Sequence, residues 1–355
     1  MIKPKVILIG LAFAHDNYLT NHVSVLSDKY DVVSIRIDED PLISKIFRRR
    51  SFITLPFELV LLLYIFSTNR SAAVVSIGPK VGLLSVIACK LLFLRNYHWF
   101  TGQVWALKKR KYLSFSYICD LMIYLLSNGI LCDGLTQKKY LHENFPLKKD
   151  IIVPKYGSIN GVHEKFFSQT ESLKLIDELK VCFVGRKTNG KGLALLYEVA
   201  KKASDLNINC TFTLAGPIDL DSNEYNVFLN NNSKLKNITL IDDYVDPVYI
   251  FKTQHALVLP SEREGFGSIV IEAQSMGLPV IVSDIYGLND SFINNVTGIK
   301  CRASSVEDFV RAIIKMKDPN NYMNYRNNSY KFSQKFQSLH FCEDLLESYK
   351  LLGLL

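Results

Sequence analysis

The chain has 355 residues, enough for two domains, and its 48% apolar and 21% charged residues are the balance of a globular protein. Seven cysteines, an odd number scattered with no C-x-x-C, argue for reduced thiols in a cytosolic compartment and against both a disulfide framework and a zinc site. The net charge of +8 is uneven: residues 1–150 carry 20 Lys+Arg against 11 Asp+Glu and the rest 22 against 23, so the basic excess belongs to the first part and suits nucleic acid or an anionic membrane surface.

Residues 6–10 read as a hydrophobic strand ending in glycine, residues 20–28 as a helix and residues 31–37 as a second strand. This is the β-α-β opening of a doubly wound parallel sheet. It lacks G-x-G-x-x-G, which discounts a dinucleotide-dependent dehydrogenase. The apolar part of the opening residues is too short for a signal peptide.

Residues 45–53 mix Lys45, Arg48, Arg49 and Arg50 with Ile46, Phe47, Phe52 and Ile53. Such a segment reads equally as a membrane-surface stretch, with cations at the headgroups and rings below, or as a solvated turn. Lys108-Lys109-Arg110-Lys111-Tyr112 is a second cluster of this kind. No nucleic-acid reader motif accompanies either one. The long apolar runs at 55–66, interrupted by Glu58, and 81–94, interrupted by Lys90, fall short of the ~20 residues a membrane span needs and are expected as buried helices.

Strands are expected at 73–77, 96–101 and 151–153, with Gly102-Gln103-Val104-Trp105 following Thr101 at the end of the second of these. Trp105 reads either as core packing or as a stacking platform for a ligand. A polar stretch at 165–178 marks the boundary, giving an N-terminal domain over 1–170 and a second over 171–332. Residues 333–355 carry apolar residues at helical spacing (Phe336, Leu339, Phe341, Leu345, Leu346, Tyr349).

A strand at 179–184 leads into Gly185-Arg186-Lys187-Thr188-Asn189-Gly190-Lys191-Gly192 and then a helix over 193–203. G-x4-G-K between strand and helix is nearly a P-loop, but a P-loop needs Ser or Thr after the lysine to hold Mg²⁺, and Gly192 has no oxygen ligand. Further strands are expected at 211–215, 238–241 and 255–259. Asp38-Glu39-Asp40 and Asp219-Leu220-Asp221 both match D-x-D, a short pattern with no supporting context, and no metal site is assigned to them.

The run from Pro260 to Asp284 organises this half. A turn of small and acidic residues, Ser261 to Gly267, opens a helix over 268–276, and Gly277-Leu278-Pro279 closes it ahead of a buried strand at 280–282. The helix dipole and free N–H groups beside Gly265 and Gly267 make an anion cradle. Glu264 and Glu272, eight residues apart, flank it. A carboxylate beside a phosphate is better aimed at hydroxyls, so phosphate plus polyol suggests a nucleotide sugar.

E-G-F-G-S-I-V-I-E-A, residues 264–273, resembles the E-x7-E motif of family GT4 retaining glycosyltransferases, and Gly185-Arg186 with Lys191-Gly192 resembles their G-R-x4-K-G pattern. Residues 155–162 resemble the glycine-rich segment that closes the family's N-terminal domain, and WFTGQVWA resembles members acting in bacterial surface-polysaccharide pathways. The resemblance covers about 150–350 well and 1–150 in outline. The family's glycine-rich loop after the first strand is replaced by Leu11 to Asp16, and Thr101 stands where many members carry a histidine, with His98 three residues earlier.

The resemblance implies a GT-B fold, two Rossmann-like α/β domains facing across a cleft, with the last helix crossing back to the N-terminal domain. It implies a metal-independent, retaining hexosyltransferase with no cofactor. The donor, a UDP- or GDP-sugar, would meet Gly185, Arg186, Lys191, Glu264, Gly265, Phe266, Gly267, Ser268 and Glu272. Glu264 would contact the donor sugar, Glu272 the ribose hydroxyls, and Arg186 and Lys191 the diphosphate; Glu264, Arg186 and Lys191 are the catalytic candidates. Thr101, Gly102 and Trp105 would lie on the acceptor side. The expected acceptor is a lipid-linked saccharide of O-antigen or capsule, reached by peripheral contact of the basic N-terminal domain with the inner face of the plasma membrane, with no nucleic-acid partner. A GT-B UDP-sugar 2-epimerase and a catalytically silent sugar-nucleotide-binding protein are the alternatives.

Overall fold

Val, Ile and Leu dominate the strands of this chain, as in sheets whose two faces are both covered by helices. The computed structural model describes residues 3–10, 19–20, 22–37, 54–70, 72–107, 111–157, 161–167, 177–219 and 235–354. The chain divides into two units, residues 1–160 with 339–355, and residues 161–338. Each holds one six-stranded parallel sheet, so both are Rossmann-like.

The first sheet comprises β1 (Lys5–Gly10), β2 (Asp31–Arg36), β3 (Ala73–Ile77), β4 (Asn96–Phe100), β5 (Gly129–Cys132) and β6 (Ile151–Ile152), in the order β2-β1-β3-β4-β5-β6. Ile7, Ile9, Phe100 and Ile130 face a layer of helices α1 (Leu55–Ser67), α2 (Pro79–Leu91), α3 (Phe115–Leu126) and α4 (Leu135–Asn144). Val6, Leu8, Tyr97 and Trp99 face the other way and pack against Phe341, Leu345 and Tyr349 of the chain's final helix.

Most of the apolar run at 81–94 lies in α2, where Val81 to Val86, Ala88 and Cys89 are buried; Phe93, past its end, is exposed. The run at 55–66 differs from expectation. It forms α1, but only Glu58, Leu62 and Phe66 of that helix are buried, and Phe57, Val60 and Tyr64 stand exposed. Glu58 interrupts the run without facing water: Lys80 Nζ lies 2.6 Å from its carboxylate and Thr54 Oγ1 donates to it at 2.7 Å. A buried charge held this way is paired rather than solvated.

The second sheet comprises β7 (Leu179–Val184), β8 (Cys210–Ala215), β9 (Ile238–Ile241), β10 (Ala256–Leu259), β11 (Val280–Ser283) and β12 (Gly298–Cys301), ordered β12-β11-β10-β7-β8-β9. Its helices are α5 (Leu193–Asp205), α6 (Pro247–Phe251), α7 (Ser268–Ser275), α8 (Val306–Met316) and α9 (Pro319–Ser333). The strand order reverses between β7 and β10. Chains leaving these two strands turn to opposite sides, which opens a crevice beyond their carboxyl ends. The final helix, α10 (Ser338–Leu351), joins the first unit, where Tyr349 Oη and His22 Nδ1 lie 2.6 Å apart.

Candidate functional site in the second unit

Two loops meet at that crevice, Gly185–Gly192 after β7 and Pro260–Gly267 after β10. They interlock through the backbone: Glu262 N donates to Gly190 O at 2.9 Å. Gly192 takes φ +73°, and a Cβ there would lie 2.1 Å from the Pro260 carbonyl oxygen. From the far side Gly287, at φ +85°, lies so close to the second loop that a Cβ would sit 2.5 Å from Glu264 O and 2.6 Å from Gly265 O. No side chain fits in either place without moving backbone, so these glycines set the spacing between the loops.

Residues alternate in direction along the first loop. Arg186 is exposed, while Lys187 is fully buried. Lys187 Nζ donates to Gly216 O and Ile241 O, each at 2.6 Å, and lies 2.9 Å from Asp242 Oδ1. Burial pulls its pKa down and Asp242 pushes it back up. Its main chain is tied too: Lys187 N donates to Pro217 O at 2.9 Å, and Asp219 N donates to Lys187 O at 3.2 Å. Lys187 therefore fastens the loop to the ends of β8 and β9. Sequence reasoning gave it no part; the one signal was its place between two residues pointing the other way.

Lys191 reaches across to the second loop, its Nζ 2.5 Å from Glu264 Oε1, and Ser261 Oγ donates to the same oxygen at 2.8 Å. Gly267, at φ +79°, caps α7 with no side-chain hydrogen bond to the helix amides. Phe266 is buried against Phe336, ring centroids 5.8 Å apart, and anchors the turn. Gly265 and Ser268 are half-buried beside it.

Glu272, one turn into α7, has a different environment. Among the described residues no hydrogen bond reaches its carboxylate. Burial pushes its pKa up to about 7; Lys165 opposes the shift and Asp246 adds to it. Lys165 Nζ lies 2.7 Å from Asp246 Oδ2. The two acids of the motif are thus set apart: Glu264 is paired with a cation, and Glu272 is an acceptor with vacant hydrogen-bonding capacity at the edge of the same crevice. Lys165 and Asp246 were missed in the sequence because they lie far from the motif along the chain.

Thr101, Gly102 and Trp105 lie on the first unit, after β4. Thr101 O accepts from Gln103 Nε2 at 2.5 Å and from Gln137 Nε2 at 2.6 Å. Thr101 and Gly102 line a small recess with Gly78, His98 and Asp120. Trp105 corrects the acceptor-side expectation: it is fully buried, donates from Nε1 to Asp120 Oδ2 at 2.8 Å, and stacks on Tyr140 with centroids 5.5 Å apart. Its ring has no free face for a sugar. His98 is also buried, its Nδ1 3.0 Å from Ser76 Oγ.

Among the described residues no three His, Cys, Asp or Glu side chains gather as metal ligands. The first D-x-D, at 38–40, lies outside the described residues, as do Leu220 and Asp221 of the second. The basic-apolar stretch at 45–53 and residues 108–110 lie outside them as well.

Residues 165–332 match the family model described as glycosyl transferases group 1. The capsular polysaccharide biosynthesis glycosyltransferase CapM of Staphylococcus aureus is 27% identical over 253 residues, covering 68% of this chain and 66% of that protein. The Escherichia coli UDP-Gal:alpha-D-GlcNAc-diphosphoundecaprenol alpha-1,3-galactosyltransferase is 32% identical over 138 residues, 38% of this chain and 35% of that one. The chain thus spans just under two thirds of the first relative and about a third of the second. The structure of Anabaena HepE in complex with UDP and glucose aligns with a TM-score of 0.78 at 12% identity, over 98% of this chain and all of that one, which shows a shared fold.

Proposed function

We propose that the chain is a retaining, metal-independent glycosyltransferase of the group 1 kind, moving a sugar from a UDP- or GDP-sugar to a lipid-linked saccharide in the building of a bacterial surface polysaccharide, O-antigen or capsule. The observation that carries this reading is the pairing of Lys191 with Glu264 at 2.5 Å at the switch point of the second sheet, with the unbonded carboxylate of Glu272 in the next helix. Diphosphate, sugar and ribose each have a fitting partner there. The relatives lend support: CapM is named for capsular polysaccharide, the E. coli enzyme for a UDP-sugar and a diphosphoundecaprenol-linked sugar, and HepE was crystallised with UDP and glucose.

In this reading the bond from C1 of the donor sugar to the diphosphate oxygen breaks and its electron pair stays on the diphosphate. Arg186, Lys191 and the amides at Gly267-Ser268 stabilise that charge, Arg186 by its planar fork and Lys191 as a point charge. Glu264 holds the donor sugar, and Glu272 accepts hydrogen bonds from the ribose hydroxyls. The acceptor hydroxyl attacks C1 on the face the diphosphate leaves, and its proton passes to the departing diphosphate. The protein works at the cytoplasmic face of the plasma membrane, where nucleotide sugars and lipid-linked acceptors meet.

The test is sugar transfer from UDP- and GDP-sugars to a lipid-diphosphate-linked saccharide, with and without EDTA. Transfer with retained anomeric configuration is expected to persist in EDTA, and Lys191→Ala to lower turnover by ~10²-fold or more. Loss of transfer in EDTA, an unchanged rate for Lys191→Ala, or conversion of the donor with no acceptor present would each contradict the reading; the last would mark an epimerase.

A further inference from the structure

Four helices of this chain end in one motif, in which the residue past the cap takes a positive φ and its N–H and the next one turn back onto the last turn. After α5, α7 and α10 that residue is Asn207 (φ +51°), Gly277 (φ +83°) and Gly353 (φ +69°), types that tolerate the left-handed region. Asn207 N donates to Ser204 O and Ile208 N to Ala203 O, each at 2.9 Å. After α2 the same bonds recur, Phe93 N to Lys90 O at 3.4 Å and Leu94 N to Cys89 O at 2.8 Å, but the residue is a phenylalanine at φ +58°. A bulky side chain is strained there. Packing does not offset the strain, because Phe93 is 96% exposed.

Phe93 lines a cavity of about 340 Å³ at the amino ends of β1, β3 and β4. Arg70 and Arg95 line it too; both are exposed, and neither guanidinium has a hydrogen bond or ion pair among the described residues. The third cation of the wall, Lys5, is engaged: its Nζ donates to Asn69 Oδ1 at 2.9 Å and lies 3.5 Å from Asp31 Oδ2. Among the described residues no carboxylate lines the cavity. Tyr30 Oη donates to Leu354 O and closes one side. Two unpaired arginines suit a phosphate, which their planar forks take by paired hydrogen bonds. An aromatic ring left in water suits a flat ring stacked on it. We propose that this cavity binds a nucleoside monophosphate, with its phosphate on Arg70 and Arg95 and its base on the Phe93 ring. The volume lies at the low end of small-molecule sites and suits a single nucleotide. The strain at Phe93 is then stability given up for a contact made only with the ligand in place.

The site belongs to the first unit and does not rest on the donor reading of the second. The experiment is titration calorimetry of the full chain with AMP, UMP, ribose 5-phosphate and adenosine, in an Arg186→Ala/Lys191→Ala background so that the second unit's loops do not contribute. AMP or UMP is expected to bind one per chain, about tenfold or more tightly than ribose 5-phosphate, which lacks the base, and adenosine, which lacks the phosphate. Arg70→Gln with Arg95→Gln should weaken that binding about a hundredfold. Phe93→Gly should move two readouts in opposite directions: affinity falls about tenfold, while the melting temperature rises by about 2 °C as the strained position is relieved. All the substituted side chains of the cavity are exposed, and an unchanged melting temperature checks that the arginine variant folds. No binding of either nucleotide, binding that survives the arginine substitutions, affinity unaffected by Phe93→Gly, or ribose 5-phosphate held as tightly as the nucleotides would each overturn the proposal.

Discussion

The two units share one architecture and use the carboxyl ends of their strands in opposite ways. In the second unit those ends carry ionisable groups left within reach of the crevice: Arg186 is exposed, Lys191 and Glu264 pair across two loops, and Glu272 has no hydrogen-bonding partner among the described residues. Among the described residues of the first unit, the two carboxylates Asp120 and Asp133 are instead buried and bonded. Asp120 accepts from Trp105 Nε1, and Asp133 accepts from Trp99 Nε1 at 2.7 Å and donates its own N–H to Gln137 Oε1 at 2.8 Å. A Rossmann-like sheet offers the same place for chemistry in both units. Among the described residues the chain fills that place with ionisable groups in one and with internal bracing in the other.

The largest effect that would break this comparison concerns Lys187, the one fully buried lysine among the described residues of the second unit. Lys187→Ala removes the partner of two carbonyls and of Asp242, and should cost roughly 3–5 kcal/mol of stability, seen as a fall in denaturant midpoint. Arg186→Ala, by contrast, should leave stability nearly unchanged. Equal costs for the two would mean that the loop does not divide into a buried anchor and an exposed ligand group.

A smaller effect sharpens the account of the first unit. Burial raises Asp120 and Asp133 from the ordinary 3.8 to about 7, with the tryptophan hydrogen bonds opposing the shift. The folded state therefore holds protons that the unfolded chain gives up above pH 4. The stability this adds is present below about pH 4 and is lost as pH rises through 7, at about 1.4 kcal/mol per pH unit for each group between those limits. The melting temperature should be higher at pH 5.5 than at pH 8.5, and Asp120→Asn with Asp133→Asn, which keeps acceptors for both indoles, should flatten that slope. A slope that survives the double substitution would place its source elsewhere, Glu272 first.

How much the sequence disclosed differs between the units in the same way. The second unit's loops were legible because glycine, lysine and glutamate at fixed spacing are tied to backbone geometry: Gly192 and Gly287 can be nothing larger, and α7 starts and stops where Gly267 and Gly277 require. Lys187 was not, since nothing in a sequence tells a buried lysine from a solvated one beside it. In the first unit Trp105 stayed open between core packing and a ligand platform because its partner, Asp120, is fifteen residues on. The short strands β5 (Gly129–Cys132) and β12 (Gly298–Cys301) carry a glycine and a cysteine within four residues and too little β-branched pattern to stand out. The run forming α1 read as core because a helix apolar all round gives no sign of which of its faces packs on the sheet.

The most direct test of the second unit's role is thermal shift of the wild type, the Arg186→Ala/Lys191→Ala double variant and Glu272→Ala against UDP, GDP, ADP and dTDP. One nucleotide, UDP or GDP, should stabilise the wild type by about 2.7 kcal/mol at roughly 100 times its Kd. The double variant should lose that shift and Glu272→Ala should reduce it. Stabilisation of equal size in all three proteins, or by none of the nucleotides, would contradict the assignment of the Gly185–Gly192 and Pro260–Gly267 loops to a nucleotide sugar.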